Sequence, residues 1–118
     1  MQYSCLIYSA PDSGPQTEAE FETQLGAYFA FNDLVGGAGK LLGGEPLEEV
    51  STAQTVRVRD GESMITDGPF AETKEHLGGY YLLDCDNLDE ALHYAAMIPA
   101  AKHGSIEVRP LMELTPQP

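Results

Sequence analysis

Apolar and polar residues recur along this chain with two different periods, and the periods divide it into elements. Gln2–Ser9 is short and β-rich, which predicts a first strand. Pro11, Asp12, Ser13, Gly14 and Pro15 form a loop. Thr17 and Glu20 stand at capping-box spacing, and Phe21, Leu25, Tyr28 and Phe29 follow at helical spacing. A helix to about Val35 results, stopped by Gly36, Gly37 and Gly39. Lys40–Ser51, with Gly43, Gly44 and Pro46, reads as irregular backbone holding a short extended piece.

Thr52–Arg59 and Ser63–Thr66 flank Asp60-Gly61, a pair in which both positions tolerate positive φ, so a hairpin is expected. A polar loop spans Asp67 to His76. Gly78–Cys85 reads as a strand with Tyr80 and Tyr81 on opposite faces. Asn87 and Glu90 repeat the capping spacing, and Leu88, Ala91, Leu92, Ala95 and Ile98 supply a helical face that Pro99 ends. Ser105–Pro110 turns Ile106 and Val108 inward and Glu107 and Arg109 outward. Strand, helix, two-stranded hairpin, strand, helix, strand is read as the ferredoxin-like β-α-β-β-α-β unit, an α+β fold with an antiparallel sheet. Two helices cover one face of that sheet. The other face is left apolar, so a homodimer through the open sheet face is expected.

Composition narrows the partners. The 118 residues suit one domain over 1–118, and a hydrophobic share of 42% argues against disorder. Nineteen acidic and six basic residues give a net charge of −13, a field that repels nucleic acid and anionic membranes. No membrane-length apolar run, secretory leader or calcium loop is visible. Cys5 and Cys85 sit in separate apolar runs and form no C-x-x-C motif, which suits buried free thiols in the reducing cytoplasm. Three scattered histidines do not argue for a metal. Gly36-Gly37-Ala38-Gly39-Lys40 follows a helix rather than a strand and lacks a closing Ser or Thr, so it is no phosphate loop. No cofactor is implied.

Three segments stand together: Thr55–Gly61; Thr66–Glu75 with Leu77-Gly78-Gly79-Tyr80-Tyr81; and Ala100–Ser105 with Glu107–Pro110. The set resembles the DGPF-domain proteins, a branch of the YCII-related superfamily named for the tetrapeptide found here at Asp67–Phe70. The resemblance runs from Tyr3 to Leu114 and implies a dimeric α+β barrel. It implies little about chemistry, though some YCII-type relatives use a histidine and an aspartate in a cleft, and a few act on small cyclic acids or lactone-like compounds. The YCII-type histidine of the first helix has no match in Thr17–Val35, and the YCII-type Asp-Pro is Ile98-Pro99. Such chains often lie beside genes for extracytoplasmic-function sigma factors.

The candidate residues each carry two readings. Asp67 opens a turn, as an Asx-type acceptor or as a general base. His76 and His103 are solvated loop histidines or proton carriers. Phe70 is a core or rim anchor. Arg57 and Arg59 share a strand face, where they bind a carboxylate or phosphate or pair with Glu62 or Glu72. Tyr81 lines the core or donates a hydroxyl to a cleft. His93 lies at the polar edge of the second helix, with no role expected. Two functions follow: a small acidic or cyclic molecule is bound or transformed between sheet and helices, or the chain is a non-catalytic regulatory or protein-interaction module, with the sigma-factor setting as its context.

Overall fold

The computed structural model describes residues 1–114, so the end of the domain expected over 1–118 lies outside the described residues. In chain order the elements are β1 (Gln2–Ser9), α1 (Glu18–Gly37), β2 (Leu41–Pro46), β3 (Gln54–Arg59), β4 (Glu62–Asp67), β5 (His76–Asp84), α2 (Leu88–Ala95) and β6 (Ser105–Pro110). Single 3-10 turns lie at Val50–Thr52 and Pro99–Lys102. Four strands form one antiparallel sheet in the order β2-β5-β1-β6. β3 and β4 form a separate two-stranded ribbon.

This arrangement confirms the fold class and corrects the strand assignment. The stretch expected to be irregular supplies β2, the edge strand that pairs with β5. The hairpin is not part of the ferredoxin-like sheet. It is inserted between the sheet strands β2 and β5, and with it set aside the chain reads β-α-β-β-α-β. Pro46 is tolerated because it ends an edge strand, where a missing N–H costs no ladder bond.

Local signals explain the remaining boundaries. The Thr17 hydroxyl accepts the Glu20 N–H at 3.1 Å and lies 3.0 Å from the Glu20 carboxylate, starting α1 where the capping spacing places it. At the other end, Ala38, Gly39 and Lys40 N–H groups donate to Leu34, Gly36 and Val35 carbonyls. Asp60 and Gly61 both hold positive φ, 53° and 78°, as the tight hairpin requires. Asn87 accepts the Glu90 N–H at 2.9 Å to start α2, which ends at Ala95, before Pro99. Pro99 instead opens the second 3-10 turn, and the residue before it, Ile98, is extended as proline demands.

The core lies between the helices and one sheet face. Tyr3, Cys5 and Ile7 of β1 and Tyr81 and Leu83 of β5 meet Phe31 and Val35 of α1, Ala91 and Ala95 of α2, and Ile98. Full burial of residues such as Leu83, Val35 and Ile98 stabilises by about 1.5–3 kcal/mol each. Phe31 and Tyr81 meet edge to face with centroids 5.0 Å apart. Lys40 ties the end of α1 to the start of α2, lying 2.9 Å from Glu90 and 3.6 Å from Asp86. Cys5 and Cys85 are buried free thiols. Burial pushes Cys5 up to about 11, with Cys85 adding to the effect.

Candidate functional site

One face of α1 is apolar at its surface and polar at its edge. Phe21, Leu25 and Phe29 recur every fourth residue, and so do Gln24, Tyr28 and Asn32 on the adjoining line. Both lines face a cleft of about 520 Å³ whose opposite walls come from β2, β5 and the loop after β1. That volume suits a small organic molecule.

The second line makes two separate attachments, about two helical turns apart. The Gln24 side-chain nitrogen lies 3.2 Å from His103 Nε2. Tyr28 stands between them on the same line, its ring at the cleft. The Tyr81 hydroxyl donates to Asn32 Oδ1 at 2.5 Å. Burial raises the Tyr81 phenol to about 12, with Tyr28 adding to the shift, and burial also raises Tyr28 against the opposing pull of the nearby Ala100 backbone. Both phenols are therefore neutral hydroxyl donors at neutral pH.

His103 is positioned from three sides. Ser13 Oγ donates to the Ala10 carbonyl at 2.8 Å and lies 3.4 Å from His103 Nδ1. With the Ser13 proton so used, Nδ1–H is the donor and Nε2 accepts from Gln24. Gly14, at φ +77°, passes against the ring, and a Cβ there would stand 2.7 Å from His103 Cε1. Only glycine allows both this backbone conformation and this approach. Gly104 is pressed as closely on the Tyr8 carbonyl, which fixes the direction of the chain leaving His103.

The structure brings His103 and Tyr81 to the cleft and leaves the other sequence candidates elsewhere. Asp67 ends the ribbon, is exposed, and accepts from Gln54 at 3.1 Å. His76 opens β5 with its Nε2 3.0 Å from the Thr73 carbonyl. Arg57 and Arg59 lie on the ribbon, and neither forms an ion pair among the described residues. Arg59 donates instead to the Val58 carbonyl. Phe70 is 76% exposed in the loop after the ribbon and packs into no core. The residues whose role the sequence reading missed are Gln24, Tyr28 and Asn32, and their signal is a hydrogen-bonding tip at every fourth position beside the apolar line Phe21–Leu25–Phe29.

Comparison with known proteins agrees with this fold. A model of the YCII-related domain matches residues 1–115. An uncharacterized protein of Rhizobium meliloti (strain 1021) is 51% identical over 76 residues, a stretch that covers 63% of this chain and 61% of that protein. The match therefore spans less than two thirds of the relative's length. Among solved structures, a 5-chloro-2-hydroxyhydroquinone dehydrochlorinase from Burkholderia phenoliruptrix AC1100, in complex with 2,5-dihydroxybenzoquinone, superposes with a TM-score of 0.55 at 15% identity. The superposition covers 95% of this chain and 94% of that one. At that identity the likeness shows the fold alone.

Proposed function

This chain belongs to the YCII-related domain family, and we propose that it binds a small cyclic organic molecule in the cleft between α1 and the sheet. The observation that carries this reading is the line Gln24–Tyr28–Asn32. It sets hydrogen-bonding tips beside His103 and Tyr81 at the edge of an apolar wall. A flat ring fills such a wall, and its polar substituents meet the tips. The ring-shaped ligand held by the dehydrochlorinase of the same fold is consistent with this size and shape. His103 is oriented by Ser13 and Gln24 rather than by a carboxylate, so its proposed role is to hold a ligand hydroxyl or carbonyl. The test is a thermal-shift screen of monocyclic phenols, quinones and lactones. Stabilisation by ring compounds that is lost in His103→Ala supports the reading, and a flat response to every ring compound overturns it.

A homodimer through the open sheet face completes the proposal. Leu6, Tyr8, Tyr80 and Leu82 lie on the face that no helix covers, and uncovered apolar surface of this kind marks an interface. Sedimentation of the wild type as a dimer, and of Leu82→Glu as a monomer, is expected. A monomeric wild type at high concentration sinks this part. The alternative, a protein-interaction module, draws its support from the ribbon, where Val56, Val58 and Ile65 are more than half exposed on one face.

A further inference from the structure

The bond between Tyr81 and Asn32 fixes which atom of the Asn32 amide is left over. Its 2.5 Å separation lies in the range of O–H···O bonds and is shorter than N–H···O bonds run. The amide oxygen is therefore the partner of the phenol, and the nitrogen is turned away from it. Among the described residues Asn32 Nδ2 has no protein partner, and no buried side-chain nitrogen or oxygen lacks one, so its two N–H groups are open. The opening beside them is the cleft, which Asn32 and Tyr81 both line. On the edge strand, Gly44 stands opposite Tyr81, and a Cβ there would lie 2.8 Å from Tyr81 Cδ1. Glycine at this inward position leaves the sheet wall next to the pair free of a side chain. An amide nitrogen donates and has nothing to accept with. A ligand group that meets it must be an acceptor, and a ligand without one leaves the N–H groups stripped of water and unmatched.

We propose, resting on the ligand-binding reading above, that Asn32 determines specificity: the cleft takes ring compounds that carry a carbonyl oxygen, and this oxygen accepts from Asn32 Nδ2. Tyr81 is a positioning residue that holds the amide in the donating orientation. The Gln24–His103 pair stands about two helical turns away along α1, so a substituent held there belongs to the other end of the ligand.

The test compares acetophenone with 1-phenylethanol, one skeleton bearing a carbonyl or a hydroxyl, by calorimetry on the wild type and Asn32→Asp. The substitution keeps an oxygen for the Tyr81 hydroxyl and turns a second oxygen to the ligand, so a donor becomes an acceptor in the same shape. Acetophenone is expected to bind on the order of tenfold more weakly to the variant. The hydroxyl of 1-phenylethanol can donate to the carboxylate, so its affinity holds within about twofold. An infrared spectrum of the wild-type complex needs no variant: the carbonyl stretch of bound acetophenone is expected at lower wavenumber than in hexane. Equal loss of both probes in folded Asn32→Asp, no loss of either, or a carbonyl band at its hexane position overturns the carbonyl assignment and leaves the cleft reading standing. No binding of either probe to the wild type overturns both.

Discussion

The four-stranded body and the two-stranded ribbon are built from equally β-rich sequence, yet they stand at opposite ends of burial. In the body, Cys5, Val35 and Leu83 are fully buried. In the ribbon, Val56, Val58 and Ile65 are 62%, 60% and 69% exposed, and the ribbon's contacts are chiefly between its own two strands. The molecule is correspondingly flat, 50 × 47 × 18 Å. Its radius of gyration is 16.6 Å, against about 13–14 Å for a compact chain of this length. Strand pairing and strand covering are thus separate achievements. Asp60-Gly61 is enough to close a hairpin, whereas only helices packed on a face give it a core.

Four measurements press on this contrast, in falling order of effect. Leu83→Ala should destabilise the body by about 2–5 kcal/mol in urea unfolding, while Ile65→Ala costs less than about 0.5 kcal/mol in the monomer. Equal costs would show that the ribbon is covered. Next is alkaline titration of the core. The folded Cys5 thiol stands at about 11 against an ordinary 9.0, so its neutral form is favoured by folding. The stability it contributes is full below pH 9 and is lost as pH rises towards 11, on the order of 2–3 kcal/mol in all. Cys5→Ala should flatten that part of the pH profile, and an unchanged slope would refute a buried Cys5.

Tyr81→Phe comes third. It leaves the Asn32 carbonyl oxygen without its phenol donor and should cost roughly 1–2 kcal/mol, read by thermal unfolding with Asn32→Leu as the companion. If that pair matters, the double variant is less destabilised than the sum of the two. Last is excision of the ribbon. The Gly68 N–H donates to the Ala53 carbonyl at 2.7 Å, so the two ends of the insertion already touch. Joining Ala53 to Gly68 through a short glycine linker should change body stability by less than about 1 kcal/mol. Collapse of the body on excision would make the ribbon part of the core.

The sequence revealed what short-range chemistry controls. Thr17 with Glu20, Asn87 with Glu90, and Asp60-Gly61 act within a few residues, and each appears where its spacing puts it. It concealed what depends on distant neighbours. Leu41–Pro46, rich in glycine and ending in proline, has no strand signature of its own and becomes β2 because the edge of β5 is there to pair with it. Asp67 and His76 belong to one loop in the chain, but the ribbon carries the first away from the cleft. His103 was visible through its Ala-Lys-His-Gly-Ser segment. Gln24 and Asn32 were hidden, and Tyr28 was read only as apolar, because Phe21, Leu25, Tyr28 and Phe29 together read as the packing face of α1, although in the fold Phe21, Leu25 and Phe29 are exposed at the cleft.

The attachments of Gln24 and Asn32 also act as a ruler. Eight residues of helix separate them, which is about 12 Å along the axis, with Tyr28 midway. A single six-membered ring with one substituent fits between two neighbouring marks, and a longer ligand must cover all three. Since the two end marks are clamped by different parts of the chain, the scale cannot stretch without breaking one clamp. Ligand length, more than ligand chemistry, then decides whether His103 and Tyr81 are engaged together or one at a time.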